Sequence, residues 1–287
     1  MSEATEGSKG SEGSGVADEL TAAMVAPLEG PVPFDGAGWR AAREAAQSAL
    51  AGLAVRRAGA GPFRVTDHDV RVALGSGARA GDDEQFAWSA RTARRAIGLA
   101  AVRSLLAGEA RTPHDAVRAR LADSDRGVRE GGRTVSQLDR WVTCLPAAGR
   151  SAVAAEAVTW ATRLWCALDW PALGAPPVVG RDHWWDSPHS ALLALRGRAD
   201  VRTAAAHLVV LSGPRRESVS AELALVELVE ALRARADAEP APRRVVGWWP
   251  DSGHIVRLEP HPSVLSLAAD AVGLVLAGRP PACAAAA

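Results

Sequence analysis

The chain has 287 residues, 33 basic against 33 acidic side chains and 48% hydrophobic residues, with a pI near 7.1. That length supplies material for one large domain or two ordinary ones, and the neutral balance argues against holding a polyanion by bulk electrostatics alone. There is no Tyr, no Asn and a single Lys, Lys9, so 32 of the 33 basic residues are Arg; this excludes Schiff-base and phosphate-loop lysines and tyrosine acids or nucleophiles from the folded part.

Residues 1–30 read as a disordered acidic, Gly/Ser-rich tail, because the opening MSEATEGSKGSEGSG has nothing apolar to bury. That stretch has no apolar signal region, and Cys144, Cys166 and Cys283 are widely separated and odd in number, the pattern of a reduced, cytoplasmic protein. Pro31 and Pro33 mark the entry to ordered structure, and Asp35 is placed to cap a helix from near Gly38 with Trp39, Ala42, Ala46 and Leu50 on one face. Thr66 caps a short helix carrying Val70, Val72 and Leu74, stopped by Gly75 and Gly77. A long helix is predicted from Glu84 to Leu106, with Phe86, Ile97, Leu99, Val102 and Leu106 inward and Arg91, Arg94, Arg95 and Arg103 outward. Thr112 before Pro113 starts a helix through about Leu121, and a further one spans Thr134 to Leu145, ended by Pro146. Residues 31–150 thus form a helical region.

From 151 to 279 the period changes. Val158–Leu168, Leu192–Arg202 and His207–Leu211 read as strands. Ser220–Arg235 is the strongest amphipathic helix. Arg244–Trp249 and His254–Glu259 are strands around a Pro250-Asp251-Ser252-Gly253 turn. Val264–Ala277 is a closing helix, interrupted by Asp270 and too short to span a bilayer, and residues 280–287 fray.

This succession carries a resemblance. LRGRADV, then HLVVLSG, a helix opening ELALVEL, and PRRVVGWWPDSGHIVRLEP are similar to the RecB-like branch of the PD-(D/E)XK nuclease superfamily. The resemblance implies an α/β, restriction-endonuclease-like mixed sheet flanked by helices, with a helical N-terminal half. It places Gly197 and Asp200 on the family's first motif, Leu211 or Ser212 where a second carboxylate is required, Gly213 at or beside the lysine position, and Glu222 on the helix-start Gln. The lead-in helix, which in the family often carries a metal-binding His, has none between residues 94 and 101. Phosphodiester hydrolysis by that centre needs several hard oxygen ligands around a divalent ion and a lysine beside the water. Asp200 alone is too few. Arg215 or Arg216 supplies charge but cannot act as a base, since arginine stays protonated. The resemblance therefore implies a nuclease fold with a degenerate centre, Asp200 and Glu222 being its remnants, and no cofactor.

Other readings stay open beside it. Asp200 also reads as a strand-end acid paired with Arg198 or Arg202, and Glu222 as an acid favoured by its helix dipole. Relocated ligands Asp200, Glu222 and Glu156 would instead make a nuclease dependent on Mg²⁺ or Mn²⁺. The spacing of His183 and His189 around Trp184, Trp185 and Asp186 is not a tight metal pattern. Ser212 and Ser218 lie near His207 in the chain but without a nucleophile elbow. Between 91 and 150 there are 12 Arg against 6 Asp or Glu. Arg91, Arg94, Arg95, Arg198, Arg202, Arg215 and Arg216 could line one basic groove for DNA, or form an ordinary solvated face. Trp184 and Trp185 cannot both face inward from an extended segment, so one is available to stack on a base or a protein partner. The third reading is a structural interaction subunit.

Overall fold

The structure, a computed structural model, describes residues 12–27, 36–56, 63–75, 88–131, 135–187, 193–233 and 243–278. It is mixed α/β and mostly helical, and the chain divides into two units that interleave in sequence. One is formed by Met1–Ala26 and Trp88–Gly174, the other by Pro27–Ala87 and Ala175–Ala287. The boundary expected near residue 150 is therefore not where the chain divides. Among the described residues no helix is long and apolar enough to cross a membrane.

The first unit is helical. Its α1, Glu12–Val25, occupies most of the stretch expected to be a tail. Leu20, Ala23 and Met24 are fully buried, which is the apolar content that lets the segment order. The opening residues 1–11, with Lys9, lie outside the described residues. Ser89 caps α4, Ala90–Leu106, through a reciprocal box with Thr92. The helix thus begins later than Glu84, and Phe86 falls outside the described residues. Thr112 caps α5, accepting from the Asp115 N–H at 3.1 Å, with Pro113 in the first turn; α5 runs on to Arg129 rather than stopping near Leu121. Ser136, not Thr134, opens α6, Gln137–Thr143.

Ala147–Cys166 forms α7, so the strand expected over Val158–Leu168 is a helix. The β-branched and aromatic density of that window is misleading. The buried positions Val153, Ala157, Ala161 and Leu164 keep helical spacing across the whole element. Gly98 lets α4 and α7 approach closely: a Cβ there would lie 2.6 Å from Trp160 Cε3.

The second unit holds both sheets and, with β1 within residues 31–150, that region is not purely helical. α2, Gly36–Arg56, buries Trp39, Ala46 and Leu50 as its periodicity requires; Asp35 lies outside the described residues. β1, Phe63–Val65, leads to α3, Asp67–Ala73, capped by Thr66 in a reciprocal box with Asp69. Then come β2, Val178–Val179, and β3, His183–Asp186. The segment expected as one strand, Leu192–Arg202, breaks in two: β4, Leu193–Gly197, and β5, Val201–Arg202. The two halves serve different sheets, ordered β1-β4-β3 and β2-β5-β6-β7-β8.

β6, Ala206–Val210, and β7, Arg244–Trp248, are parallel neighbours joined by α8, Val219–Arg233, the crossover that parallel strands require. β8, Ile255–Leu258, pairs antiparallel with β7, and α9, Pro262–Gly278, closes the unit. Every residue of β6 and β7 is buried, as strands covered on both faces are. α8 is apolar nearly all round. Leu225, Leu228, Val229 and Leu232 join the core shared with α2, β1, β4 and α9, while Val219, Leu223 and Val226 join that of Val209, Val245 and Trp249.

Candidate functional site

Four arginines and three carboxylates meet in the second unit. α3 contributes Asp67 and Arg71 one turn apart, β4 contributes Arg196, the β4–β5 link Arg198 and Asp200, the turn before α8 Arg216, and its first turn Glu222. Gly197 permits this arrangement, because a Cβ there would sit 2.9 Å from Val229 Cβ and push β4 off α8.

Glu222, 3% exposed, is saturated with donors. Arg216 Nε and Nη2 each donate to it at 2.6 Å, Arg71 Nη2 at 2.9 Å and Ser218 Oγ at 2.8 Å. Burial pushes its pKa up, and these partners more than reverse that, holding the carboxyl below its usual range. Asp67 receives Arg196 Nη2 at 3.1 Å and Arg198 Nη1 at 3.2 Å. There too burial is outweighed, by Arg198, Arg196 and Arg71, and the carboxyl is held far below the ordinary value. Asp200 is fully buried, accepts from the Val210 N–H at 2.8 Å and lies 3.9 Å from Arg198 Nη2. Arg198 also donates to the Val210 carbonyl at 2.8 Å. Burial disfavours its charge, and Asp67 and Asp200 outweigh that to raise its pKa.

Asp200 and Glu222, expected as remnants of a nuclease centre, sit in one arginine network, with a backbone amide donating to Asp200 and guanidiniums donating to Glu222. Glu156 belongs to the helical unit, exposed on α7 and paired with Arg94 at 3.2 Å. Among the described residues there is no group of three or more His, Cys, Asp or Glu that could hold a metal ion. His183 is not part of such a group: its Nδ1 lies 2.6 Å from Glu230 Oε1 on α8. His189 lies outside the described residues.

The arginines expected in a groove divide by circumstance. Arg91, Arg94 and Arg95 are on α4 in the first unit. Arg202 is 4% exposed: it donates to Glu230 at 3.3 Å and to the carbonyls of Arg181, Ala199 and Gly197, which leaves it no face for a phosphate. Arg215 is exposed in the turn before α8. Arg216 is tied to Glu222 and lies 6.0 Å from the centre of the buried Trp249 ring.

The outer face of the three-stranded sheet is more open. Alternation along β3 buries Trp185 in the core and leaves Trp184 39% exposed. Trp184 stands opposite Arg196 in the β3–β4 register. The guanidinium carbons of Arg196 and of Arg64, on β1, each lie 5.9 Å from its ring centroid. Asp186 is on the same face, opposite Ala194, whose other neighbour is Arg64.

Sequence reasoning missed Arg64, Asp67, Arg71 and Arg196. The i,i+4 spacing of Asp67 and Arg71 behind the Thr66 cap was a usable local signal, but their long-range partners had none: Arg71 and Glu222 are 151 residues apart. No family model, curated protein or solved structure matches the chain. The resemblance to RecB-like nucleases rests on the sequence spacings alone.

Proposed function

We propose that this protein is a catalytically degenerate, restriction-endonuclease-like member of the RecB-like nuclease branch, acting in the cytoplasm as a nucleic-acid-binding module in DNA processing. The observation that carries the reading is Trp184, an exposed indole on an open sheet face with the guanidiniums of Arg64 and Arg196 each 5.9 Å from its ring. An exposed indole on the edge strand, with Arg196 and Arg64 on the two strands beside it, fits an unpaired base with its backbone phosphate on the arginine side, a combination that tolerates any sequence. The exposed Arg215 adds a further cation in the same unit. The partners of Glu222 support the reading of a centre without hydrolysis, since a divalent ion there would have to displace guanidiniums already bonded to it.

Fluorescence anisotropy of labelled single-stranded and duplex DNA, with and without Mn²⁺ and across a salt series, tests this. Salt-sensitive binding that favours single strands, without cleavage, is expected. Trp184→Ala should weaken that binding by about ten- to a hundredfold, the worth of one base stacked on an aromatic ring. Absence of binding at low salt would leave a protein partner as the occupant of this face. Cleavage dependent on Mn²⁺ would return the centre to a working nuclease.

A further inference from the structure

A second acid is buried on α8. Glu227 is 2% exposed; its Oε1 accepts from the Arg243 backbone N–H at 3.0 Å, and its Oε2 has no hydrogen-bond partner. That oxygen lies 3.9 Å from Nε2 of His207 on β6. His207 is fully buried, and neither of its ring nitrogens has a hydrogen-bond partner. Orphaned polar atoms are rare in a buried interface, and two of complementary capacity seldom face each other by chance.

Their capacities match without any buried charge when both groups are neutral. A neutral carboxyl has a proton to give and a neutral imidazole has a lone pair to take it. An approach of about 1 Å then makes an ordinary hydrogen bond between helix and strand. A carboxylate in the same place could take a proton from the other imidazole tautomer, but it would stand as a full negative charge on a side chain only 2% exposed, with no cationic side chain bonded to it. The charged groups around the pair do not reverse this. Arg243 attracts a carboxylate, but its guanidinium is exposed and bonded to the Ala204 carbonyl, and Glu230 opposes it. Arg202, Arg243 and His183 all oppose a charge on His207.

We propose that Glu227 and His207 form a proton-held latch between α8 and β6, closed while the carboxyl is protonated and released as its proton passes to solvent in mildly alkaline solution. Both groups favour their neutral forms: burial pushes the Glu227 carboxyl up to about 8 and holds His207 well below the usual imidazole range. The sign follows from linkage. An acid whose folded pKa is raised leaves stability intact below its unfolded value and removes it as pH rises through the folded one. The window runs from the ordinary glutamate value of 4.5 to about 8.

Hydrogen exchange of the α8 and β6 amides, corrected for the chemical rate, reads the latch in the full chain. Between about pH 6 and pH 8 the opening equilibrium should rise roughly tenfold per pH unit, then level off. Glu227→Gln, which keeps a neutral donor, should abolish that dependence while matching the unmodified protein near the acid end. The same pH dependence in both proteins would overturn the proposal. Carbon-13 titration of glutamate carboxyls in the unmodified protein gives an independent reading: a Glu227 midpoint among the surface glutamates would also overturn it. Neither measurement involves nucleic acid, so their outcome is separate from that of the binding experiment.

Discussion

The two units differ in how far they shield the same residue type from water. In the helical unit two arginines meet acids close by in sequence, Arg118–Asp115 and Arg126–Asp123, both at i,i+3 spacing with all four side chains well exposed. Three further pairs described there, Arg94–Glu156, Arg120–Asp139 and Arg150–Asp125, link one helix to another and keep part of each side chain in water. In the sheet-bearing unit the pairs are better shielded, whether local, as in Arg216–Glu222, or long-range: Arg196 and Arg198 reach Asp67 across 129 and 131 residues, and Arg71 reaches Glu222 across 151. An exposed ion pair contributes little because water screens it, whereas a buried one becomes indispensable once its partner is buried too. Arginine content therefore says nothing by itself about where charge matters. Burial decides that.

Substitutions can break this contrast. Glu222→Ala should be the most damaging, leaving Arg71 and Arg216 facing an empty, buried position at a cost of about 3–5 kcal/mol in a denaturant melt. Because Glu222 and Asp67 have lowered pKa values, the stability they contribute is present above the ordinary carboxylate range and lost as pH falls through their folded values. Glu222→Ala should accordingly flatten the acid limb of the stability profile. Gly197→Ala comes next, at about 1–3 kcal/mol, since Val229 is fully buried and has nowhere to retreat. The matching change in the helical unit, Gly98→Ala, should cost less in the same melt. The half-buried Trp160 can shift, and alanine favours the helix by about 1 kcal/mol over glycine. Smallest is Arg118→Ala, which should stay within about 0.5 kcal/mol.

What was legible in the sequence was local. Thr66, Thr112 and Pro113 mark helix starts through a single side-chain geometry, and the apolar pattern of α8 and the hairpin of β7 and β8 survive because their neighbours along the chain define them. The failures share a cause. Val158–Leu168 has the composition of a strand, yet its burial continues a helical pattern that starts before the window. Leu192–Arg202 looks continuous until Asp200, whose side chain caps the Val210 amide and turns the chain from one sheet into the other. α1 was hidden by the Gly/Ser-rich residues ahead of it. At the site, Asp200, Glu222 and Trp184 were visible as residue types at suggestive positions. Their partners Asp67, Arg71 and Arg64 were not, because nothing nearby in the chain announces an ion pair or a ring contact made across the fold.

The interleaving of the two units sets a schedule for a chain emerging from a ribosome. β1 pairs with β4, and α2 packs on α9, so neither early element can find its partner until the entire helical unit between Trp88 and Gly174 has been made. That unit, apart from α1, is built from neighbouring helices and can close on local contacts as it appears. During that interval the apolar face of α2, with Trp39, Ala46 and Leu50, waits uncovered. A nascent protein of this design depends on the speed of its insert, and slowing translation within Trp88–Gly174 would lengthen the exposure of a surface that the finished molecule hides.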